Sequence, residues 1–167
     1  PRVAVITAPT GAAIHDFLRT AETRGFGSAI TIYPALMQGE GAPAQIINQL
    51  NIINAQNLAD VIVLIRGGGS LEDLQAFNNE DVATAIKESA LPILAGIGHE
   101  VDFTLADMTA DKRASTPTQA AHILWSDRQE MIRQVEMALR RLESFQQKYL
   151  SGLTSQLMGM QRFIAVR

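Results

Sequence analysis

The stretch Val61-Ile62-Val63-Leu64-Ile65-Arg66-Gly67-Gly68-Gly69-Ser70 decides the fold class. Its first five residues are all apolar and mostly β-branched, which is how a strand reads when both of its faces are covered, as in a parallel sheet. The same character returns at Val3 to Thr7, Ala29 to Tyr33 and Ile93 to Ile97. Between these runs the apolar residues fall at helical spacing. Ile14, Phe17, Leu18 and Ala21 mark one helix ending at Gly25, and Ile46, Ile47, Leu50 and Ile53 mark a second, opened by Pro43. Val82, Ala85 and Ile86 mark a third, closed before Pro92. This βαβαβαβ alternation predicts an α/β domain, a mostly parallel sheet flanked by helices in Rossmann-like layers.

From Thr116-Pro117 onward the pattern predicts one long helix, with Thr116 as its N-cap and Pro117 in its first turn. Val135, Leu139, Leu142, Tyr149, Leu153, Met160 and Phe163 keep a 4-3 spacing, so the segment has coiled-coil character. The expected division is therefore an α/β core over 1–121 and a long helical segment over 122–167. A helix from Thr118 to Val166 would run roughly 70 Å at its usual rise, too long to lie wholly on such a core. It is expected to project and to need a partner.

The chain has 167 residues, 47% of them hydrophobic, which is enough for a packed core. The absence of cysteine excludes a disulfide scaffold, a thiolate metal site and a cysteine nucleophile. No apolar run approaches the roughly 20 residues that span a bilayer, and no basic-then-apolar leader opens the sequence. The cytoplasm is the expected location, with no membrane partner. Residues 1–122 hold seven Lys/Arg against thirteen Asp/Glu, whereas 123–167 hold seven against four. Any phosphate contact in the acidic part must come from a few placed groups and not from a broad basic field.

Ligands of open parallel sheets bind beyond the carboxyl ends of the strands. There this sequence places Thr7-Ala8-Pro9-Thr10-Gly11, Pro34 to Ala42, Arg66 to Ser70, and Gly98-His99-Glu100-Val101-Asp102. Gly67, Gly68 and Gly69 let backbone amides approach an anion, Ser70 can cap a helix beginning at Leu71, and Arg66 adds a fork of donors suited to phosphate. The plain alternative is a tight turn with an exposed arginine. The Walker A ending is missing, as is the dinucleotide fingerprint G-x-G-x-x-G after the first strand. His99 can exchange a proton near neutrality, and a neighbouring carboxylate can fix its tautomer. Arg113 and Thr116 add a second cation and a hydroxyl close in sequence to this edge. Asp107 and Asp111 read equally well as functional carboxylates or as caps. Asp16 reads by itself as a carboxylate near a helix start, and His122 as a packing residue. Trp125 and Tyr33 are the aromatic candidates for stacking a base, with core packing as the stronger alternative.

The segments Arg66 to Asn78, Gly98 to Asp107 and Ala110 to Ala121 resemble the exodeoxyribonuclease VII large-subunit family. Val5 to Ala13 and Tyr33 to Ala42 resemble it as well, so the likeness runs in order over about residues 3–122. It departs at Ile65, Gln75, Val101 and His122, where the family usually has glycine, tryptophan, threonine and an acidic residue.

The resemblance implies a nuclease that trims single-stranded DNA into short oligonucleotides. It implies a longer natural chain, with an OB-fold domain before Pro1 and more helix after Arg167. Copies of a small helical subunit, and self-association, would use the helical region. Family catalytic positions carry over onto Asp16, Arg66, His99 and Asp102. Arg66 with the amides of Gly67, Gly68, Gly69 and Ser70 would hold the scissile phosphate, helped by Arg113 and Thr116. His99 would act as general acid or base, Asp102 would orient it, and Asp16 would position water or bind a divalent ion. Asp16, Asp102 and Asp107 are the candidate oxygen ligands for Mg²⁺, although a histidine–arginine mechanism needs no metal. A non-catalytic assembly scaffold and a nucleotide- or sugar-phosphate-binding α/β enzyme are the alternatives.

Overall fold

The computed structural model describes residues 1–25, 27–57, 59–68, 72–98, 103–125 and 128–165. The chain divides into two units, residues 1–126 and 127–167.

In the first unit the four apolar runs form strands β1 (Arg2–Thr7), β2 (Ala29–Pro34), β3 (Val61–Ile65) and β4 (Ile93–Gly96). A short fifth strand, β5 (Lys112–Arg113), joins them; two residues without apolar content carry no strand signal in sequence. The order is β2-β1-β3-β4-β5, and every pairing is parallel. Helices α1 (Ala12–Arg24), α2 (Ala42–Gln56), α3 (Glu80–Lys87), α4 (Leu105–Thr109) and α5 (Pro117–Leu124) connect the strands or follow them. A 3-10 segment (Glu72–Asn78) stands where an α-helix from Leu71 was expected.

Alternation along the strands builds two cores. Val3, Val5, Val63, Ile65 and Leu94 face α1 and α5, meeting Ile14, Phe17 and Ala120. Ala4, Ile6, Ile62, Leu64 and Ile93 face α2 and α3, meeting Ile46, Leu50, Phe77, Val82 and Ile86. Both faces of β1, β3 and β4 are covered, as their apolar runs predict, whereas β2 at the sheet edge is largely exposed despite the same apolar character. Each fully buried Ile, Leu or Phe of this kind is worth about 1.5–3 kcal/mol relative to an exposed position. At the amino edge Arg2 and Asp60 lace β1 to the start of β3. Arg2 donates from its backbone nitrogen to Asp60 Oδ2 at 2.8 Å and from Nη2 to Oδ1 at 2.6 Å.

The single long helix expected from Thr116 onward is two helices. α5 ends at Leu124, and Trp125 takes an extended conformation with φ −125° and ψ 117°. Trp125 is buried, tilted against Phe17 at 5.6 Å, and donates from Nε1 to Ser28 Oγ at 2.8 Å. Burying the indole with its hydrogen bond satisfied outweighs continuing the helix at that residue. α5 therefore belongs to the core of the first unit.

The second unit contains α6 (Arg128–Ala165), 38 residues long. Its described side chains are all exposed. Leu139, Leu142, Tyr149 and Leu153 lie 40–66% open along the expected stripe, and Phe145 stacks on Tyr149 at 6.4 Å. No helix among the described residues is long and apolar enough to cross a membrane.

Candidate active site

In a doubly wound sheet the strands on either side of a reversal in order send their following helices to opposite faces, which opens a crevice between their loops. Here the reversal falls between β1 and β3. The loops that meet there are the one from β1 into α1 and the one opened by Arg66.

α1 begins at Gly11 with no side-chain cap and no acidic residue in its first turn. Its leading amides, and the positive end of its dipole, are thus left for an outside acceptor. Gly67 lies beside this turn, and a Cβ placed on it would be 3.6 Å from the Ala13 nitrogen. Neither Gly67 nor Gly68 has a left-handed backbone, so at these two positions glycine supplies close approach, not an unusual conformation. Gly68 is exposed, with no heavy atom within 4 Å of its missing Cβ, so this position is open to solvent.

Arg66 follows β3 directly and is buried, 6% exposed. Its backbone nitrogen donates to Gly96 O at 3.2 Å, tying the loop to the end of β4. Gly96 in turn lies under α5: a Cβ there would be 3.5 Å from both Thr116 O and Ala120 Cβ. The start of α5 is thereby held at the same edge. Thr116 is its N-cap, as expected, accepting from Gln119 N at 3.0 Å, and it is exposed. Asp16 is exposed on the second turn of α1. His99, Asp102, Gly69 and Ser70 lie outside the described residues.

Arg113 ends β5 in register with Ala95, at the carboxyl side of the sheet. Its Nε is 3.7 Å from Asp107 Oδ1, and its guanidinium carbon lies 4.0 Å over the Phe103 ring. Asp107 forms a capping box at the start of α4. Its Oδ2 accepts from Thr104 Oγ1 at 2.8 Å and from Thr104 N at 3.1 Å, while Thr104 Oγ1 accepts from Asp107 N at 3.1 Å. Asp111 caps in another sense, with Oδ2 accepting from Ile93 N at 2.8 Å where β4 begins.

These contacts bear on the expected Mg²⁺ ligands. The Asp107 carboxylate accepts from Thr104 through Oδ2 and lies 3.7 Å from Arg113 through Oδ1. Among the described residues no group of three or more His, Cys, Asp or Glu side chains could hold a metal ion.

Trp125 and Tyr33 pack, as their stronger reading expects, and His122 departs from its expected packing role. Trp125 is a core residue and presents no stacking face. Tyr33 is partly buried against the α2–α3 core. His122 is exposed and does not pack in a core. Two features were missed in sequence: the uncapped start of α1, legible afterwards as Gly-Ala-Ala with no capping side chain, and Phe103, which no spacing rule marks. A separate cavity of about 360 Å³ opens between α2 and α3, lined by Asn51, Asn54, Asp81, Thr84 and Glu88. Its acidic wall is unsuited to phosphate, and it holds none of the candidate groups.

The sequence matches the family model described as exonuclease VII, large subunit, over residues 1–166. The match spans both units and extends through α6, beyond the segment of about residues 3–122 whose motifs carry the resemblance. With nearly the whole length matched, the chain belongs to the exonuclease VII large-subunit family and is an enzyme of nuclease type.

Proposed function

We propose that the crevice at the β1/β3 reversal is where this chain hydrolyses phosphodiester bonds of single-stranded DNA, releasing short oligonucleotides from an end. The observation that carries this assignment is the closeness of Gly67, the residue after buried Arg66, to the uncapped first turn of α1. A permanent cation, open loop amides and a helix N-terminus together suit a doubly charged transition state at phosphorus.

In this mechanism Arg66 and the amides of Gly67, Gly68, Gly69 and Ser70 hold the non-bridging oxygens, with Arg113 and Thr116 on the flanking phosphate. A water oxygen bonds to phosphorus as the bond to the leaving sugar oxygen breaks. His99 moves the proton, from the water or to the leaving oxygen. Asp102 orients the imidazole, and Asp16 positions the water. The roles of His99 and Asp102 rest on the family motif and on their place between β4 and Phe103. The open stripe of α6 is the docking face for the small helical subunit of such an enzyme, and for self-association.

His99→Ala should abolish cleavage of end-labelled single strands while leaving folding and DNA affinity largely intact. Arg66→Ala should lose both affinity and turnover, by about 10²–10³ in rate. Wild-type turnover in either variant sinks the assignment. Stronger competition by mononucleotides than by oligonucleotides would favour a small-ligand enzyme, and no cleavage at all would favour a scaffold.

A further inference from the structure

Phe103 is 58% exposed and directly follows in sequence the segment that carries His99 and Asp102. The Arg113 guanidinium covers one ring face at 4.0 Å, and Arg113 is itself steadied by Asp107. Asp107 is fixed by the Thr104 capping box, and its side chain is fully buried. The next residue along, Leu105, donates its backbone nitrogen to Asn78 Oδ1 at 3.1 Å. That contact ties the Phe103 segment to the 3-10 segment following the Arg66 loop.

This arrangement is a poor way to gain stability. Asp107 Oδ1 is buried and takes no hydrogen bond among the described residues. At 3.7 Å its contact with Arg113 is longer than a charge-assisted hydrogen bond, so little of its desolvation cost is offset. The ring, more than half exposed, gains less from burial than a core aromatic does. What the chain of contacts does achieve is a flat aromatic surface, fixed in place and backed by a cation, at the carboxyl edge of the sheet. Nucleobases of single strands stack on such surfaces with little regard to sequence, and an arginine beside the ring adds to the attraction.

We propose that Phe103, backed by Arg113, is the stacking platform for one nucleobase of single-stranded DNA adjacent to the phosphate being cleaved. Asp107 is the positioning residue that keeps Arg113 on the ring. The proposal rests on the assignment of the β1/β3 crevice as the phosphodiester site.

The test uses the full-length enzyme and two sets of oligonucleotides, one intact and one carrying a single abasic residue walked past the scissile position. Phe103→Ala should raise KM on the intact strand by about 5- to 100-fold, the range that base–aromatic stacking supplies. At one abasic position the wild type should already show that loss, and Phe103→Ala should add little to it. Phe103→Trp should restore the intact-strand KM, and Phe103→Leu, which keeps apolar bulk without an aromatic face, should not. Equal losses on intact and abasic strands, or full rescue by leucine, would overturn the platform. Arg66→Ala separates the two assignments. If it cleaves like wild type, crevice and platform fall together. If it is dead while the Phe103 variants show no base-dependent loss, the platform alone falls.

Discussion

Gly67 and Ala13 are 54 positions apart in sequence, yet a methyl group on Gly67 would sit 3.6 Å from the Ala13 nitrogen and 3.7 Å from its Cβ. Those are ordinary contact distances, so the fold can accept that methyl. In the proposed site, an anion on the α1 amides would contend with that methyl for the space beside Ala13. The relationship places the loop after β3 and the start of α1 on one crevice, and it yields a substitution that separates binding from stability.

Gly67→Ala should leave the thermal melt nearly unchanged, because neither a clash nor a left-handed backbone opposes it. Single-strand affinity should fall by about 10-fold, the loss of a hydrogen bond to a charged group. Fluorescence anisotropy with a labelled oligonucleotide reads the affinity, and an unchanged value would remove Gly67 from the site.

Gly25 behaves oppositely. A Cβ there would lie 2.8 Å from Ala21 O and 2.9 Å from the Trp125 ring, so backbone and indole must both move. Gly25→Ala should cost about 1–3 kcal/mol in urea unfolding, the usual penalty of overpacking. Trp125→Ala should cost about 3–5 kcal/mol, as a buried aromatic does. Little change in either would mean that Trp125 is not a core residue.

Asp60 sets an acid-sensitive clamp. Hydrogen bonds from the side chain and then the backbone of Arg2 hold its carboxyl below the ordinary value of 3.8. Between pH 3.8 and that lower folded value, the unfolded chain binds the extra proton. The contribution is therefore complete above the ordinary value and is lost as the pH falls through the folded one. Asp60→Asn should lower the melting temperature slightly at neutral pH, and the difference should vanish as the pH falls through the folded value. A difference that persists in acid would place the effect elsewhere than on the charge.

Along α6, Leu142 and Tyr149 are 66% and 60% exposed. Replacing both by Glu should abolish association with the small subunit and self-association in light scattering. The melt of the α/β unit should not shift, since neither side chain packs in its core. Retained assembly would mean that another surface carries it.

Four strands and three helices were legible because their signals are local. Val61 to Ile65 alternates between two covered faces, and Gly25, Pro43 and Pro92 punctuate the helices where expected. The break at Trp125 was not legible, since it depends on Ser28 and Phe17, far away in sequence. β5 was missed for a similar reason: Lys112 and Arg113 become a strand only because β4 offers them an edge. Arg66, Gly67 and Thr116 were legible as candidates by residue type and place. The capping work of Asp107 and Asp111 could be named only as one of two options.

The layered α/β class and the family were legible in the sequence alone, because apolar period and motif wording are properties of neighbouring residues. Only the tertiary structure decided the strand order β2-β1-β3-β4-β5, the pairing of Gly67 with an uncapped α1, and the stack of Arg113 on Phe103. Those depend on which distant surfaces bury one another most completely, and no local pattern encodes that choice.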